Sequence, residues 1–369
     1  MFIMKEIKTN PDMLMLKHCT DELLAKLDGI AESNGWTAQR AIQYGKDNPD
    51  SSIGVYAGGP ESYTLLAPLF DPIIREYHNY DMSGHKSDFS LEGLSTENLD
   101  PEGKFVVSTR IRVGRNFAKY AFPSAISAED RARIESEIVD ALNALPESLK
   151  GEYFPLDGMS EDVRQKMVED HFLFKQADRF LESVGVNRDW PKNRGIFFSN
   201  DKKFLVWVSE EDSMRIISMQ QGADIAEVFS RLASALDTIN KKINFAFDDV
   251  RGYYTTCPTN LGTAMRASVH IRIPKLSASP DFNEVCKSLG LSIRGVHGEH
   301  SESSDGIYDI SNKRRLGITE REIFEQQLEA LEETETIQLV PEHKNKYAFL
   351  KYAAVLVLGL GLTATVGYP

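Results

Sequence analysis

The residues able to do chemistry in this chain fall into three groups: arginines inside apolar runs, carboxylates in turn-like segments, and a cysteine ahead of a proline turn. In Ser108-Thr109-Arg110-Ile111-Arg112-Val113, strand alternation puts Arg110 and Arg112 on one face and Ile111 and Val113 on the other. Arg215 before Ile216-Ile217, Arg266 before Ala267-Ser268-Val269-His270, and Arg294 before Gly295 repeat the arrangement. Any one of these arginines reads equally as the polar side of a half-exposed sheet. As a set on one face, their planar guanidinium forks would line a site for polyphosphate oxygens.

The carboxylates complement that lining. Glu210-Glu211-Asp212 falls between two β-type runs, 204–208 and 214–219, close enough to form an antiparallel hairpin with the acids at its turn. Glu299 lies in Gly295-Val296-His297-Gly298-Glu299-His300. Acidic turns are usually just solvated, but paired carboxylates beside an anion site could grip a cationic acceptor and aim its nitrogen at a phosphoryl group. Cys257 precedes Pro258-Thr259-Asn260, where Thr259 and nearby amides would favour a thiolate; a buried small hydrophobe is the alternative. His171 could stack on a ligand or be a satisfied core histidine, and the His297 to His300 pair is too short and isolated for a metal site. No phosphate-cradling glycine loop, protein-kinase catalytic set or dinucleotide fingerprint is present, so nucleotide binding would have to use arginine side chains.

These groups must be positioned by a chain of 369 residues, long enough for two domains or one large domain with a smaller attached one. Hydrophobic residues at 41% and charged residues at 26% describe a folded globular body. The net charge of −13 opposes nucleic acid as a partner, so an anion site must gather a minority of arginines against the average field. Three cysteines without ligand spacing suit a reducing compartment, and the N-terminus lacks both a signal-peptide pattern and a myristoylation glycine; a cytoplasmic protein is expected. At the other end, residues 352–366 are apolar and follow Lys344, Lys346 and Lys351. The 18 residues after Lys351 would make a helix of about 27 Å against a hydrocarbon core of about 30 Å, which suits a membrane anchor with cytosolic lysines or a buried C-terminal segment.

Residues 1–90 carry helical signals, with Thr20 capping an amphipathic run and a second run over 63–77. Between them lies a Gly- and Ser-rich loop, 50–60, holding Ile53, Val55 and Tyr56. Residues 80–103 read as a polar linker. Strand runs then appear at 105–113, 204–208, 214–219, 267–273 and 291–293, interleaved with helices that open at Ser127, cover 224–241, and open again at the Thr319 capping box before 323–333. The expected fold is α+β: a small all-helical N-terminal domain (1–90), a large antiparallel-sheet domain flanked by helices (91–336), and a C-terminal extension (337–369).

Taken together, Ser108-Thr109-Arg110-Ile111-Arg112, Glu210-Glu211-Asp212, Cys257-Pro-Thr-Asn-Leu-Gly-Thr263, Arg294-Gly-Val-His-Gly-Glu299-His300 and Tyr308-Asp-Ile-Ser-Asn-Lys-Arg-Arg315 resemble the phosphagen (ATP:guanidino) kinases, most closely the arginine kinases. The resemblance runs from about residue 15 to 330 and implies a helical domain followed by an eight-stranded antiparallel sheet like the catalytic domain of glutamine synthetase. It implies reversible transfer of the γ-phosphoryl group of MgATP to the guanidino nitrogen of L-arginine, giving phosphoarginine and MgADP, with Mg2+ carried by the nucleotide. By that resemblance Ser108 to Arg112, His171, Arg215, Arg266 to His270 and Arg294 to Gly298 (including Val296 and His297) meet the nucleotide, while Glu211, Glu299 and Cys257 meet the guanidinium. Ser51, Ile53 and Tyr56 match the substrate-specificity loop, and Asp50 and Arg179 match a pair that closes across the domains.

This sequence departs from the family at Ser209 and Ser213, where Asn and His are frequent, and at His297, where many arginine kinases have Arg. A taurocyamine or lombricine kinase and a membrane-tethered nucleotide-binding pseudoenzyme stand as alternatives. An amide-forming ligase is disfavoured because no acidic metal cluster is evident. Nothing in the chain specifies an oligomeric state.

Overall fold

The computed structural model describes residues 10–169, 172–174, 179–277, 282, 286, 290–295 and 306–339. The expected apolar tail at 352–366 lies outside them, and no helix among the described residues is long and apolar enough to cross a membrane.

The N-terminal part is helical, as the pattern predicts. After α1 (Leu14–His18), the Thr20 side chain accepts a hydrogen bond from Leu23 N at the start of α2 (Asp21–Lys26), and Thr37 does the same from Arg40 N for α3 (Ala38–Asp47). The single helix expected over 63–77 is two: α4 (Ser62–Leu65) ends as Leu66 leaves helical geometry, and α5 (Ala67–His78) begins with Pro68 in its first turn, where a missing N–H costs nothing. Tyr63, Leu69, Phe70, Ile73 and Ile74 are buried with Met13 and Met15, but also with Tyr254, Cys257 and Leu316 from far along the chain, so the helices pack directly on the part that follows. The segment read as a linker has neither helix nor strand, yet it is docked: Phe89, Leu91, Leu94 and Leu99 lie against the main core.

That core belongs to an eight-stranded sheet of β1 (Val106–Arg115), β2 (Gly151–Pro155), β3 (Gly195–Ser199), β4 (Phe204–Val208), β5 (Met214–Gln221), β8 (Met265–Arg272), β9 (Leu291–Gly295) and β10 (Ile307–Asn312). The strand order is β2-β3-β4-β5-β1-β8-β10-β9 and every pairing is antiparallel. The strands β6 (Phe247–Asp248) and β7 (Gly252–Tyr253) form a separate hairpin.

One sheet face is apolar. Ile111, Val113, Val206, Val208, Ile216, Met265 and Ala267 pack against α6 (Ala128–Leu142), α7 (Ile225–Asn240) and the helix Glu320–Leu339. Burying such side chains contributes about 1.5–3 kcal/mol each and fixes the register, because a slip of one residue would send the whole set to the other face. The other face is apolar only over β3 to β5, where Ile196, Leu205, Trp207 and Ile217 meet Leu173 and Phe174. Beyond them it turns cationic, and there the site lies.

Candidate active site

The register places the arginines. Arg112 on β1 stands opposite Arg266 on β8, Arg110 opposite Ser268, and Gly114 opposite Arg215 on β5. Ser108 pairs with His270, which pairs with Asp309, which pairs with Arg294. All of these positions share one face by strand alternation. The convergence expected of Arg110, Arg112, Arg215, Arg266 and Arg294 is what the sheet shows.

Four of these guanidinium groups lie close enough to disturb one another. Burial pushes Arg110 down to about 10, with Arg215 and Arg266 adding repulsion. Arg112 is also pushed well below its ordinary value, by burial and then by Arg215, Arg110 and Arg266. The Trp207 ring lies under both Arg110 and Arg215, at 5.7 and 5.6 Å from centroid to guanidinium carbon. Arg266 is braced by Asp309 (Nη2 to Oδ2, 2.7 Å) and Ser311 (Nε to Oγ, 3.1 Å). Ser108 Oγ and His270 Nδ1 are 3.1 Å apart.

Not every residue expected here faces the site. The Thr109 side chain donates to Gly222 O at 2.8 Å, Ile111 and Ala267 belong to the main core, and Val269 to a second apolar cluster. Gly295 ends β9. His171, Val296, His297, Gly298 and Glu299 lie outside the described residues.

Next to the basic wall is an acidic corner. The β4–β5 turn holds Glu210, Glu211 and Asp212, as the hairpin reading predicts, with Ser209 in left-handed geometry (φ 57°). Arg215 reaches back to Glu210 (3.1 Å) and to Glu211 Oε2 (3.0 Å), and the Tyr56 hydroxyl donates to Glu211 Oε1 at 2.8 Å. Burial, with Asp212 and Glu210 adding repulsion, pushes the Glu211 carboxyl up to about 7 against the pull of Arg215. Asp212 is buried and accepts from Asn116 Nδ2 (2.7 Å) and Thr256 N (2.8 Å). Its approach requires a glycine opposite: a Cβ on Gly114 would lie 2.8 Å from Asp212 Oδ2.

Tyr56 arrives from the loop 51–57, which the chain holds down. Ser51 Oγ accepts from Ile53 N (3.3 Å) and Gly54 N (3.1 Å), and Gly54 has φ 76°, where a Cβ would stand 2.5 Å from Met15 Cβ. Cys257 is 6% exposed, with Sγ 3.1 Å from Thr259 Oγ1. The thiolate expectation needs correction: burial, and then Glu211, push this thiol up to about 12, and the Thr259 hydroxyl does not offset them. A cation laid against the sulfur would act in the opposite sense. Asp50 and Arg179 do meet, with Arg179 Nη1 also on Asn48 Oδ1 at 3.3 Å.

Sequence reading alone did not single out Trp207, Asn116, Thr256 or Arg315. Arg315 is half-buried beside Cys257, donates to Thr259 O (3.2 Å), and leaves its buried Nε without a partner; its only signal is the run Lys313-Arg314-Arg315.

Comparison with known proteins finds relatives of both the helical and the sheet parts of the chain. Residues 9–75 match the model of the ATP:guanido phosphotransferase N-terminal domain, and residues 133–336 that of its C-terminal catalytic domain. The chain is 50% identical over 325 residues to an arginine kinase of Anthopleura japonica, covering 86% of this chain but 46% of that protein. It is 48% identical over 322 residues to arginine kinase Oct f 2 of Amphioctopus fangsiao, covering 87% of this chain and 92% of that one. Among solved structures, a lombricine kinase superposes with a TM-score of 0.85 at 33% identity, covering 92% of this chain and 96% of its own. The substrate-free duplicated taurocyamine kinase from Schistosoma mansoni superposes with a TM-score of 0.86 at 39% identity, covering 96% of this chain and 52% of that one. The chain belongs to the ATP:guanido phosphotransferase family.

Proposed function

We infer that this protein is an arginine kinase, moving the γ-phosphoryl group of MgATP reversibly onto the guanidino nitrogen of L-arginine. The observation that carries the reading is the meeting of an arginine wall on one sheet face with the Glu211, Tyr56 and Cys257 corner under the loop 51–57. Phosphoryl transfer needs little covalent help from protein and depends on charge neutralisation and in-line placement. Arg110, Arg112, Arg215, Arg266 and Arg294 serve the phosphates, with Ser108, Ser268 and His270 beside them on the same face, and Mg2+ arrives on the nucleotide as part of the substrate.

The acceptor enters as a planar cation. Glu211, held by Tyr56 and Arg215, keeps lone pairs free for its N–H groups and, with a carboxyl pushed up to about 7, is suited to receive the proton lost on transfer. Glu299, by family resemblance, is the second carboxylate that clamps it, and Cys257 lies against the guanidinium. Ser51, Ile53 and Tyr56 supply the substrate loop, and Asp50 with Arg179 closes the helical domain over it. Two domains divided near residue 90, in the cytoplasm, complete the reading. L-Arginine is preferred as acceptor because the relatives at 46–50% identity carry the name arginine kinase.

The test is a coupled assay of purified protein with MgATP and, in parallel, arginine, creatine, taurocyamine and lombricine. Arginine is expected to give the highest kcat/KM. Preference for taurocyamine or lombricine would replace the substrate, and no turnover with any of the four would overturn the reading.

A further inference from the structure

Thr256 is fully buried and stands between the three parts of the acceptor corner. Its hydroxyl lies 2.8 Å from Glu211 O and 3.0 Å from Asp212 Oδ1, and its N–H donates to the same Asp212 oxygen at 2.8 Å. Its carbonyl accepts from Ala57 N at 2.9 Å, at the end of the loop 51–57. The next residue is Cys257.

These bonds close a circuit. The Tyr56 hydroxyl donates to the Glu211 side chain, Tyr56 continues into Ala57, Ala57 donates to Thr256, and Thr256 donates back to the Glu211 main chain. Each segment of the ring comes from a different region: residues 56–57 from the helical part, 211–212 from the β4–β5 turn, and 256 from the stretch after β7. The ring is anchored outside itself as well. Asn116 holds Asp212 through Nδ2 and Ser213 N through Oδ1 (2.8 Å), while Ser124 Oγ donates to Ala57 O at 2.6 Å. A buried hydrogen-bonded network of this kind fixes relative positions more tightly than its members would separately. None of the hydrogen bonds of Thr256 involves the arginines of the nucleotide wall.

We propose that Thr256 is a positioning residue for the guanidino acceptor: its hydroxyl locks the Glu211 turn to the loop 51–57 and so sets affinity for the acceptor, with no hydrogen bond of its own to the nucleotide wall. The proposal rests on the arginine kinase reading and deepens it. Replacing the threonine by valine keeps shape, N–H and carbonyl while removing only the hydroxyl, which frees the Glu211 turn from one side of the ring and leaves Glu211 O short of a donor.

The experiment measures KM for arginine, KM for MgATP and kcat for the full chain carrying Thr256→Val, Thr256→Ala or Thr256→Ser, with the unmodified protein alongside. Thr256→Ala covers the case in which valine is too crowded against Asp212 to fold. The expected result for Val and Ala is a rise in arginine KM of about tenfold, the order of one lost buried hydrogen bond, with MgATP KM within about twofold. Thr256→Ser restores the arginine KM, because it restores the donor. Three outcomes would overturn the proposal: an unchanged arginine KM in both Val and Ala, an equal rise in the MgATP KM, or a serine variant as impaired as valine. Lack of turnover with arginine in the unmodified protein would instead remove the reading beneath it, and the proposal with it, so the two failures are told apart.

Discussion

Arg112 on β1 and Arg266 on β8 stand directly opposite each other in the sheet, two cations on one rung with Arg110 and Arg215 close by. Like charges in that relation destabilise a sheet. Asp309 and Ser311 relieve Arg266, whereas the Arg112 guanidinium has no hydrogen-bond or ion-pair partner among the described residues. The protein holds a repulsive arrangement that an anion would relax.

Arg112→Met should therefore stabilise the unliganded protein while weakening nucleotide binding. Removing one unpaired, half-buried cation is expected to raise the unfolding midpoint by about 2–4 °C for each kcal/mol recovered. The same change should cost at least about tenfold in MgADP affinity, since a charge-assisted hydrogen bond contributes about 1.5–3 kcal/mol. Thermal unfolding with and without MgADP checks both parts. A lower midpoint without ligand, or an undiminished shift with it, would contradict the account.

Glu211 gives a prediction with a pH sign. Its carboxyl is pushed up to about 7 in the folded chain from an ordinary value of 4.5, so the folded state holds the proton more tightly than the unfolded state. Stability contributed by the protonated form is then lost as pH rises from about 4.5 through about 7. Glu211→Gln removes that loss: its unfolding midpoint should exceed that of the unmodified protein at pH 8, and the gap should shrink to nothing towards pH 4.5. Turnover should fall by a factor of about 10²–10⁴, the usual contribution of a positioned acid or base. Calorimetry at the two pH values and initial rates at pH 8 decide it; an equal gap at both pH values would mean the carboxyl is not raised.

Asp71 on α5 and Arg251 in the β6–β7 turn form a two-pronged ion pair, Nε to Oδ1 at 3.1 Å and Nη2 to Oδ2 at 3.0 Å, with the arginine side chain 13% exposed. Asp248 adds a second contact at 3.1 Å. This is a fork geometry that lysine does not reproduce. Asp71→Asn is expected to cost about 1.5–3 kcal/mol, and Arg251→Lys to lose most of the pair. A double-mutant cycle with Arg251→Met should return a coupling of at least about 1 kcal/mol; additive losses would show that the two residues do not act together.

How much of this was legible in the sequence depends on how local the signal is. Strands β1, β4, β5, β8 and β9 are legible because their side chains decide between a packed face and a cationic or aromatic one within five to ten residues. Strands β2, β3 and β10 are not. Gly151 and Gly195 look like turn residues, yet each is there for close approach: a Cβ on Gly151 would lie 2.0 Å from Phe198 O, and one on Gly195 2.2 Å from the Tyr153 hydroxyl. In β10, Asp309, Ser311 and Asn312 make the strand read as polar, and their partners Arg266 and Ala267 N lie more than 40 residues away. The site divides the same way. The arginine spacing follows from one strand's alternation, whereas Thr256 and Asn116 matter only through segments 45 and 97 residues distant.

The second pair linking helical and sheet parts behaves differently from the first. Asp50 and Arg179 are 60% and 56% exposed, the carboxyl held below its ordinary range chiefly by its hydrogen bond to Arg179. Solvent screens an exposed pair, so its worth to the resting fold is small. Its place beside the loop 51–57 gives it leverage on closure instead: Asn48, which also receives Arg179, is buried and donates to Ser183 Oγ at 2.8 Å. Asp50→Asn should leave the unfolding midpoint nearly unchanged while raising the arginine KM, and salt should mimic it in the unmodified protein, because the screening length falls from about 10 Å at 0.1 M to about 3 Å at 1 M. Asp71→Asn should show the reverse balance, a lower midpoint with little added salt dependence. A mutant at Asp50 whose arginine KM kept the full salt response of the unmodified protein would show that the salt acts elsewhere, and the pair would then be a surface contact with no part in closing the site.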